Sequence, residues 1–236
     1  MEKTRILVWD LPVRLFHWLL ALSFAGAFLT AESERVRDVH VALGYTFMGL
    51  VAFRLVWGAI GSRHARFASF AYGPKAVLAY VESLARRRPI HYAGHNPAGG
   101  WAIFAILALG IVTAASGYAV YADAGGRWVE SLHEGAANAL LALAIVHVVA
   151  VVVSSVLHRE NLVTAMITGF KAGDASDAIG RTRWAPAAVL AAAVVAIWSA
   201  AFDTPDARSG PAGAAADSAE AGRHHHSRHR GDGDDS

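Results

Sequence analysis

The sequence predicts an all-α membrane protein with a four-helix transmembrane bundle and a fifth, C-terminal transmembrane helix. Its 236 residues are 55% hydrophobic and only 17% charged, and the mean hydropathy is +0.35. These values are too apolar for an ordinary soluble domain. The apolar residues are concentrated in five stretches, each long enough to cross a hydrocarbon layer of about 30 Å as a helix. Basic residues cluster between the stretches in a pattern that indicates their orientation.

The five apolar stretches are predicted as helices at 15–31, 41–60, 101–122, 132–157 and 185–202. The first stretch also has the basic start and the small residues near its end that are typical of a secretory signal peptide. We interpret it as a retained helix, because His17 and Trp18 interrupt the apolar run.

The distribution of Lys and Arg predicts the orientation. Thirteen of these residues lie in the N-terminal segment and in the loops on its side of the membrane, and three lie in the opposite loops. Loops rich in Lys and Arg stay in the cytoplasm. We therefore expect a multi-pass protein of the bacterial inner membrane, with a cytoplasmic N-terminus and, after five spans, a periplasmic C-terminus.

Composition predicts three regions. Residues 1–171 form the transmembrane domain, and 172–202 form a linker and the additional helix. Residues 203–236 lose their large apolar side chains and become a His-rich periplasmic tail that we expect to be disordered. The loop 61–100 contains an amphipathic piece at 74–86, which predicts a short helix along the inner membrane surface. The absence of cysteine excludes disulfide scaffolds, thiolate zinc sites, iron–sulfur clusters and covalently attached c-type haem.

Four histidines lie in or at the edge of apolar helices, at His17, His40, His133 and His147. A polar, ionisable side chain in a membrane helix is costly unless it is paired or bound, so each is a candidate functional residue. His133 and His147 are 14 residues apart on one predicted helix, which places them about 21 Å apart along its axis and on one face. One helix can therefore serve two sites.

The predicted topology assigns the partners. Both His40 and His133 lie near the outer surface, and both His17 and His147 lie towards the inside. Two His–His pairs in a helical bundle are what two b-type haems require, since a low-spin haem takes one axial imidazole from each face.

Arg54 and the remaining histidines have more ordinary interpretations. Arg54 lies near the inward end of the second helix, where it pairs with a haem propionate or extends to the cytoplasmic interface. The loop histidines are interpreted as solvated: His64, His91, His95 and His158. The tail histidines are interpreted as a solvated, low-complexity end: His224, His225, His226 and His229.

Over residues 7–171 the sequence resembles the bacterial cytochrome b561 family, which includes the membrane cytochrome b subunits of nickel–iron hydrogenases. The resemblance runs in order through VWDLPVRLFHW, HVALGYTFMGLVAFRLVWG, HNPAGGW, LHEGAANALLALAIVHV and LHRENLVTAMITG. It implies a four-helix core with two b haems, electron transfer across the inner membrane, and exchange with quinone and a redox partner. The four histidines of the two pairs match the family's axial-ligand positions.

The expected function is that of a diheme b-type cytochrome that connects a redox partner with the quinone pool. That partner is a periplasmic cytochrome c, a hydrogenase or another oxidoreductase subunit. An electron carrier is favoured over a stand-alone enzyme, although quinone-linked oxidoreductase activity stays open. The alternative is a histidine-dependent proton or metal transporter. Such a transporter would need acidic groups near the histidines inside the membrane. The nearest acidic residue is Glu134, which lies at the outer edge of its helix. The chain contacts the lipid bilayer, and no nucleic-acid partner is expected.

Overall fold

The computed structural model describes residues 4–202 as a helical chain with one small sheet, and the predicted tail at 203–236 lies outside the described residues. Contacts group residues up to Val194 into one unit and assign the end of the last helix to a second. The elements, in chain order, are β1 (Thr4–Leu7), α1 (Leu11–Thr30), α2 (Arg37–Ile60), α3 (Pro74–Ala85), α4 (Pro97–Tyr121), α5 (Gly126–His158), α6 (Leu162–Thr168), β2 (Phe170–Gly173) and α7 (Trp184–Phe202).

Among residues 4–202, the helices that are long and apolar enough to span a membrane are α1, α2, α4, α5 and α7. The five spans predicted from hydropathy are thereby confirmed, and the structure extends most of them by a few residues. Much of their surface is apolar and exposed, as it is at Val148, Val152 and Val156 of α5. Such surfaces are stable when hydrocarbon covers them.

The first four spans pack as a bundle in which α1 contacts α2, α4 contacts α5, and α2 contacts α4. Phe47 and Val51 of α2 meet Leu107 of α4 and Leu140 of α5 in a buried cluster. Small residues permit this close packing, as is usual between membrane helices. The fifth helix joins the bundle through Leu190, which is buried with side chains of α1 and α2.

The amphipathic piece predicted at 74–86 is confirmed as the helix α3. Tyr80 points inward and is only 1% exposed, whereas Leu78 and Val81 are exposed. An apolar outer surface on a short helix outside the spans suits contact with a membrane interface.

A two-stranded ribbon closes one end of the bundle and was not predicted. β1 and β2 pair antiparallel, with Thr4 opposite Gly173. The Gly169 carbonyl accepts hydrogen bonds from both Val8 N and Trp9 N, at 2.9 and 3.1 Å. The beginning of α1 and the end of α5 therefore lie at the same end of the bundle, which we call the sheet end. The predicted boundary between the regions 1–171 and 172–202 falls inside β2.

Lys171 of β2 is fixed by a half-buried ion pair. Its Nζ lies 3.7 Å from Glu160 Oε2 and donates to Tyr92 O at 3.2 Å. Glu160 Oε1 accepts a hydrogen bond from Ala172 N. Burial lowers the pKa of Lys171, and the nearby Glu160 carboxylate acts in the opposite direction. The pair therefore links the end of α5, the ribbon and the loop before α4.

We expect Glu160→Gln to destabilise the sheet end more than Lys171→Met does. The first change leaves a buried ammonium without its carboxylate, at a cost of roughly 3–5 kcal/mol. The second leaves Glu160 partly exposed and still bonded to Ala172 N. The measurement is the thermal unfolding midpoint of each variant in detergent. The double variant is the control, and equal midpoints for the two single variants would contradict the expectation.

Candidate functional site

The structure brings His40 and His133 together at the end of the bundle opposite the sheet end. His40 lies in the first turn of α2 and His133 in the second turn of α5. Their ring centroids are 6.5 Å apart and their planes are nearly perpendicular, at 87°. A cavity of about 220 Å³ lies against both rings, and its other lining residues include Gly44 and Gly117.

The backbone of neighbouring helices orients both rings. His40 Nδ1 lies 2.8 Å from Ala27 O of α1, and His133 Nδ1 lies 2.9 Å from Thr113 O of α4. Since a carbonyl oxygen only accepts, each Nδ1 carries a proton and donates it. This leaves Nε2 of each ring as the nitrogen that can bind a metal. Metal-bound histidines usually have their second nitrogen fixed in this way.

The distance between the two rings fits a shared haem iron. A metal–imidazole bond is about 2 Å long and the ring centroid lies about 1 Å behind the bonded nitrogen, so two axial imidazoles have centroids roughly 6 Å apart. The observed separation is 6.5 Å. Gly117 leaves room for the His133 ring, because a Cβ there would lie 2.7 Å from His133 Cε1. His40 and His133 are therefore suitably placed to hold a haem between them.

His17 and His147 form the second pair, nearer the sheet end. His17 lies in the second turn of α1 and His147 lies in the second half of α5, within electrostatic range of each other. Among the described residues, His17 Nδ1 is buried and has no hydrogen-bond partner. A buried ring nitrogen without a hydrogen-bond partner destabilises the fold. The His17 ring is therefore also suited to hold a bound group.

The helix α5 carries one histidine of each pair. It is uninterrupted from Gly126 to His158 and therefore includes the whole of the helix predicted at 132–157. Ala136, Leu140 and Ser154 are its buried residues beyond the first turn, and they share one stripe with His133 and His147. The two sites therefore lie about 21 Å apart along the axis of one rigid element.

Arg54 does not extend to the interface. Its side chain is only 4% exposed, so that part of the sequence interpretation is wrong. The guanidinium lies over the Phe67 ring, 4.7 Å from its centroid, because the chain after α2 folds back over the helix end. Among the described residues Arg54 Nη1 has no hydrogen-bond partner. A buried guanidinium with a free donor fits an anionic group.

The interpretation of His64 and His95 as solvated loop residues is also wrong. His64 is 7% exposed and its Nε2 donates to Asp177 O at 2.7 Å. The His95 ring packs between Trp9 and Phe70, with centroid distances of 4.5 and 4.4 Å. Their burial arises because the loop 61–73 and the segment 174–182 fold over the sheet end. The sequence carries no periodic signal for these contacts.

The other two loop histidines differ from each other. His91 is exposed, whereas His158 is partly buried and its Nδ1 donates to Ser154 O at 2.9 Å. Within residues 4–202, no three His, Cys, Asp or Glu side chains come together as a metal-binding group. The tail histidines lie outside the described residues.

Comparisons with known proteins identify one family and several similar sequences. The sequence model of the family described as "Prokaryotic cytochrome b561" matches residues 8–169. A protein of Rhodobacter capsulatus named "Probable Ni/Fe-hydrogenase B-type cytochrome subunit" is 26% identical over 72% of this chain and 82% of its own length. A protein of the same name from Azotobacter vinelandii is 27% identical over 72% of this chain and 90% of its own. No solved structure matches significantly.

Proposed function

The chain belongs to the prokaryotic cytochrome b561 family, and on this basis we propose that it is a diheme b-type cytochrome linking a hydrogenase to the quinone pool. The proposal rests on two pairs of histidines. Each pair has one histidine on α5, and the two pairs lie at different halves of that helix. The names of the similar proteins support a hydrogenase as the redox partner.

In this proposal, His40 and His133 hold one haem, and His17 and His147 hold the other. With one histidine on each side of the iron, each pair would hold a haem b that supplies reversible one-electron transfer. Ala27 O and Thr113 O keep the first pair of rings oriented for binding. Arg54 pairs with a propionate carboxylate at the sheet end.

The distribution of basic residues supports a cytoplasmic sheet end and a periplasmic His40–His133 pair. Electrons then pass between a periplasmic partner and quinone by way of both sites. Because the chain has no cysteine, single-cysteine variants can test this orientation. We expect a membrane-impermeant maleimide to label Ala124→Cys but not Ala85→Cys from the periplasmic side. The reverse labelling would contradict the orientation.

The central experiment is the reduced-minus-oxidised visible spectrum of the purified protein, with haem quantified as its pyridine complex. We expect sharp low-spin b-type bands and about two haems per chain. About one haem per chain would contradict the diheme proposal. A protein free of haem after haem-sufficient expression would contradict the cytochrome assignment and favour the histidine-dependent transporter.

The quinone partner is tested separately, by mixing the oxidised protein anaerobically with a soluble quinol. We expect both haems to become reduced, and reoxidation on addition of the corresponding quinone. A protein that contains haem but exchanges no electrons with either form would contradict the quinone link while leaving the haem assignment intact.

A further inference from the structure

The sheet end contains two buried nitrogen donors that share one aromatic neighbour. Arg54 lies near the end of α2, and His95 directly precedes α4. The Arg54 Cζ is 5.8 Å from the Phe70 ring centroid, and the His95 ring centroid is 4.4 Å from it. Phe70 is 1% exposed. The fold therefore holds a guanidinium and an imidazole close to the same buried ring.

Both groups have an unused nitrogen. Among residues 4–202, neither Arg54 Nη1 nor His95 Nδ1 has a hydrogen-bond partner, and both atoms are enclosed. Buried donors are almost always paired in folded proteins. Asp10 Oδ2 is a buried acceptor that also has no partner among these residues, but no hydrogen bond joins it to either nitrogen. Both nitrogens are therefore available to an acceptor from outside the chain.

The His95 ring cannot easily turn away to find another partner. It is packed between Trp9 and Phe70. Its backbone is fixed as well, since Tyr72 Oη donates to His95 O and the next residue, Asn96, caps α4. Burial, and secondly the charge of Arg54, lower the pKa of His95 to about 3. At neutral pH the ring is therefore neutral, and it offers one N–H donor.

Arg54 has no carboxylate within ion-pair distance among the described residues. Lys171 has Glu160, and His64 donates to Asp177 O. Asp10 influences Arg54 electrostatically, but its carboxylate lies beyond ion-pair distance. The acceptor from outside the chain is therefore expected to be an anion.

The geometry points to a carboxylate site formed jointly by Arg54 and His95, which holds a propionate of the haem bound by His17 and His147. Phe16 directly precedes His17, and Phe53 directly precedes Arg54. The rings of Phe16 and Phe53 pack against each other with centroids 6.3 Å apart, so the site lies near that haem. A guanidinium binds a carboxylate through two hydrogen bonds, and the imidazole N–H adds a third. The inference rests on the proposed function and assigns His95 a positioning role within it.

The test is a redox titration of the purified protein carrying Arg54→Gln, His95→Phe or both changes, with haem content measured in parallel. We expect about two haems per chain and a lower midpoint potential for one of them, the haem that His147→Ala removes. Removing a positive charge or a donor from a propionate disfavours the added electron. We expect Arg54→Lys and His95→Gln to restore part of the shift.

Resonance Raman spectra provide a readout that a merely structural role would not change. We expect the propionate bending bands of that haem to shift in Arg54→Gln and His95→Phe. The matched control is His91→Phe, at an exposed histidine of the same loop, which should leave potentials and bands unchanged.

Three results would overturn the inference. The first is unchanged potentials and bands in both variants. The second is a shift confined to the other haem. The third is that Asp10→Asn has the same effect as Arg54→Gln and that His95→Phe has no effect. This result would make Asp10, rather than a propionate, the partner of Arg54. A wild-type protein without haem would instead overturn the proposed function.

Discussion

His17→Ala and His147→Ala are expected to remove one and the same haem, and His40→Ala and His133→Ala to remove the other. Each variant should fall from about two haems per chain to about one, because an apolar site with a single imidazole retains haem b poorly. The pairs follow from the 6.5 Å separation of the His40 and His133 rings and from the proximity of His17 to His147. Haem content and the two midpoint potentials are the measurements.

His91→Ala is the control for this series, since His91 is exposed and lies outside the spans. It should retain both haems at unchanged potentials. The pairing is refuted if His17→Ala and His133→Ala lose the haem with the same potential. Double variants within a pair should lose no more haem than either single variant.

Gly117→Val is expected to abolish haem binding at the His40–His133 site and leave the other haem in place. A Cβ at position 117 would lie 2.7 Å from His133 Cε1 and 3.0 Å from its Nδ1. A branched side chain must therefore displace the ring and break its hydrogen bond to Thr113 O. Because the ring cannot move without losing its orientation, the loss should be nearly complete. Pyridine haem quantification and redox titration check this expectation.

The matched control is Gly135→Val on α5, where a Cβ would meet no atom within 4 Å. It adds the same apolar volume to a helix of the same bundle. It therefore tests whether a β-branched side chain in a membrane helix lowers the haem content wherever it is placed. It should keep both haems. Equal losses in the two variants would show that the effect does not arise at the His133 ring.

Hydropathy predicted the spans well, because an apolar run of sufficient length is visible in a short window of sequence. The histidine pairs stay a prediction, and the contact between the His40 and His133 rings supports one of them. The 14-residue spacing of His133 and His147 needs only a continuous helix to place both on one face, and α5 is continuous. The partners of His133 and His147 then follow from the alternating direction of the helices across the membrane. No information about loops was needed for either step.

Burial at the sheet end could not be predicted in the same way. Arg54 and His95 look like ordinary interfacial and loop residues in the sequence, and become buried only when segments distant in the chain cover them. The hydrogen bond from His64 to Asp177 O joins residues 113 positions apart. Such contacts depend on the specific path of the loops, which a window of neighbouring residues does not contain.

The ribbon was missed for a related reason. Its strands are four residues long, too short for a clear alternating pattern, and Thr4 pairs with Gly173 at the other end of the four-span core. The sequence resemblance over residues 7–171 includes only the last residue of β1 and the first two residues of β2, so it does not indicate that the strands meet.

The β1–β2 pairing also bears on how the protein is made. β1 leaves the ribosome first but has no partner until four spans have been synthesised and inserted. The two strands can meet only if the intervening chain has crossed the bilayer an even number of times. A chain in which one span failed to insert would hold them on opposite sides of the membrane. Closure of the ribbon therefore takes place late in biogenesis and discriminates against chains in which a single span has failed to cross.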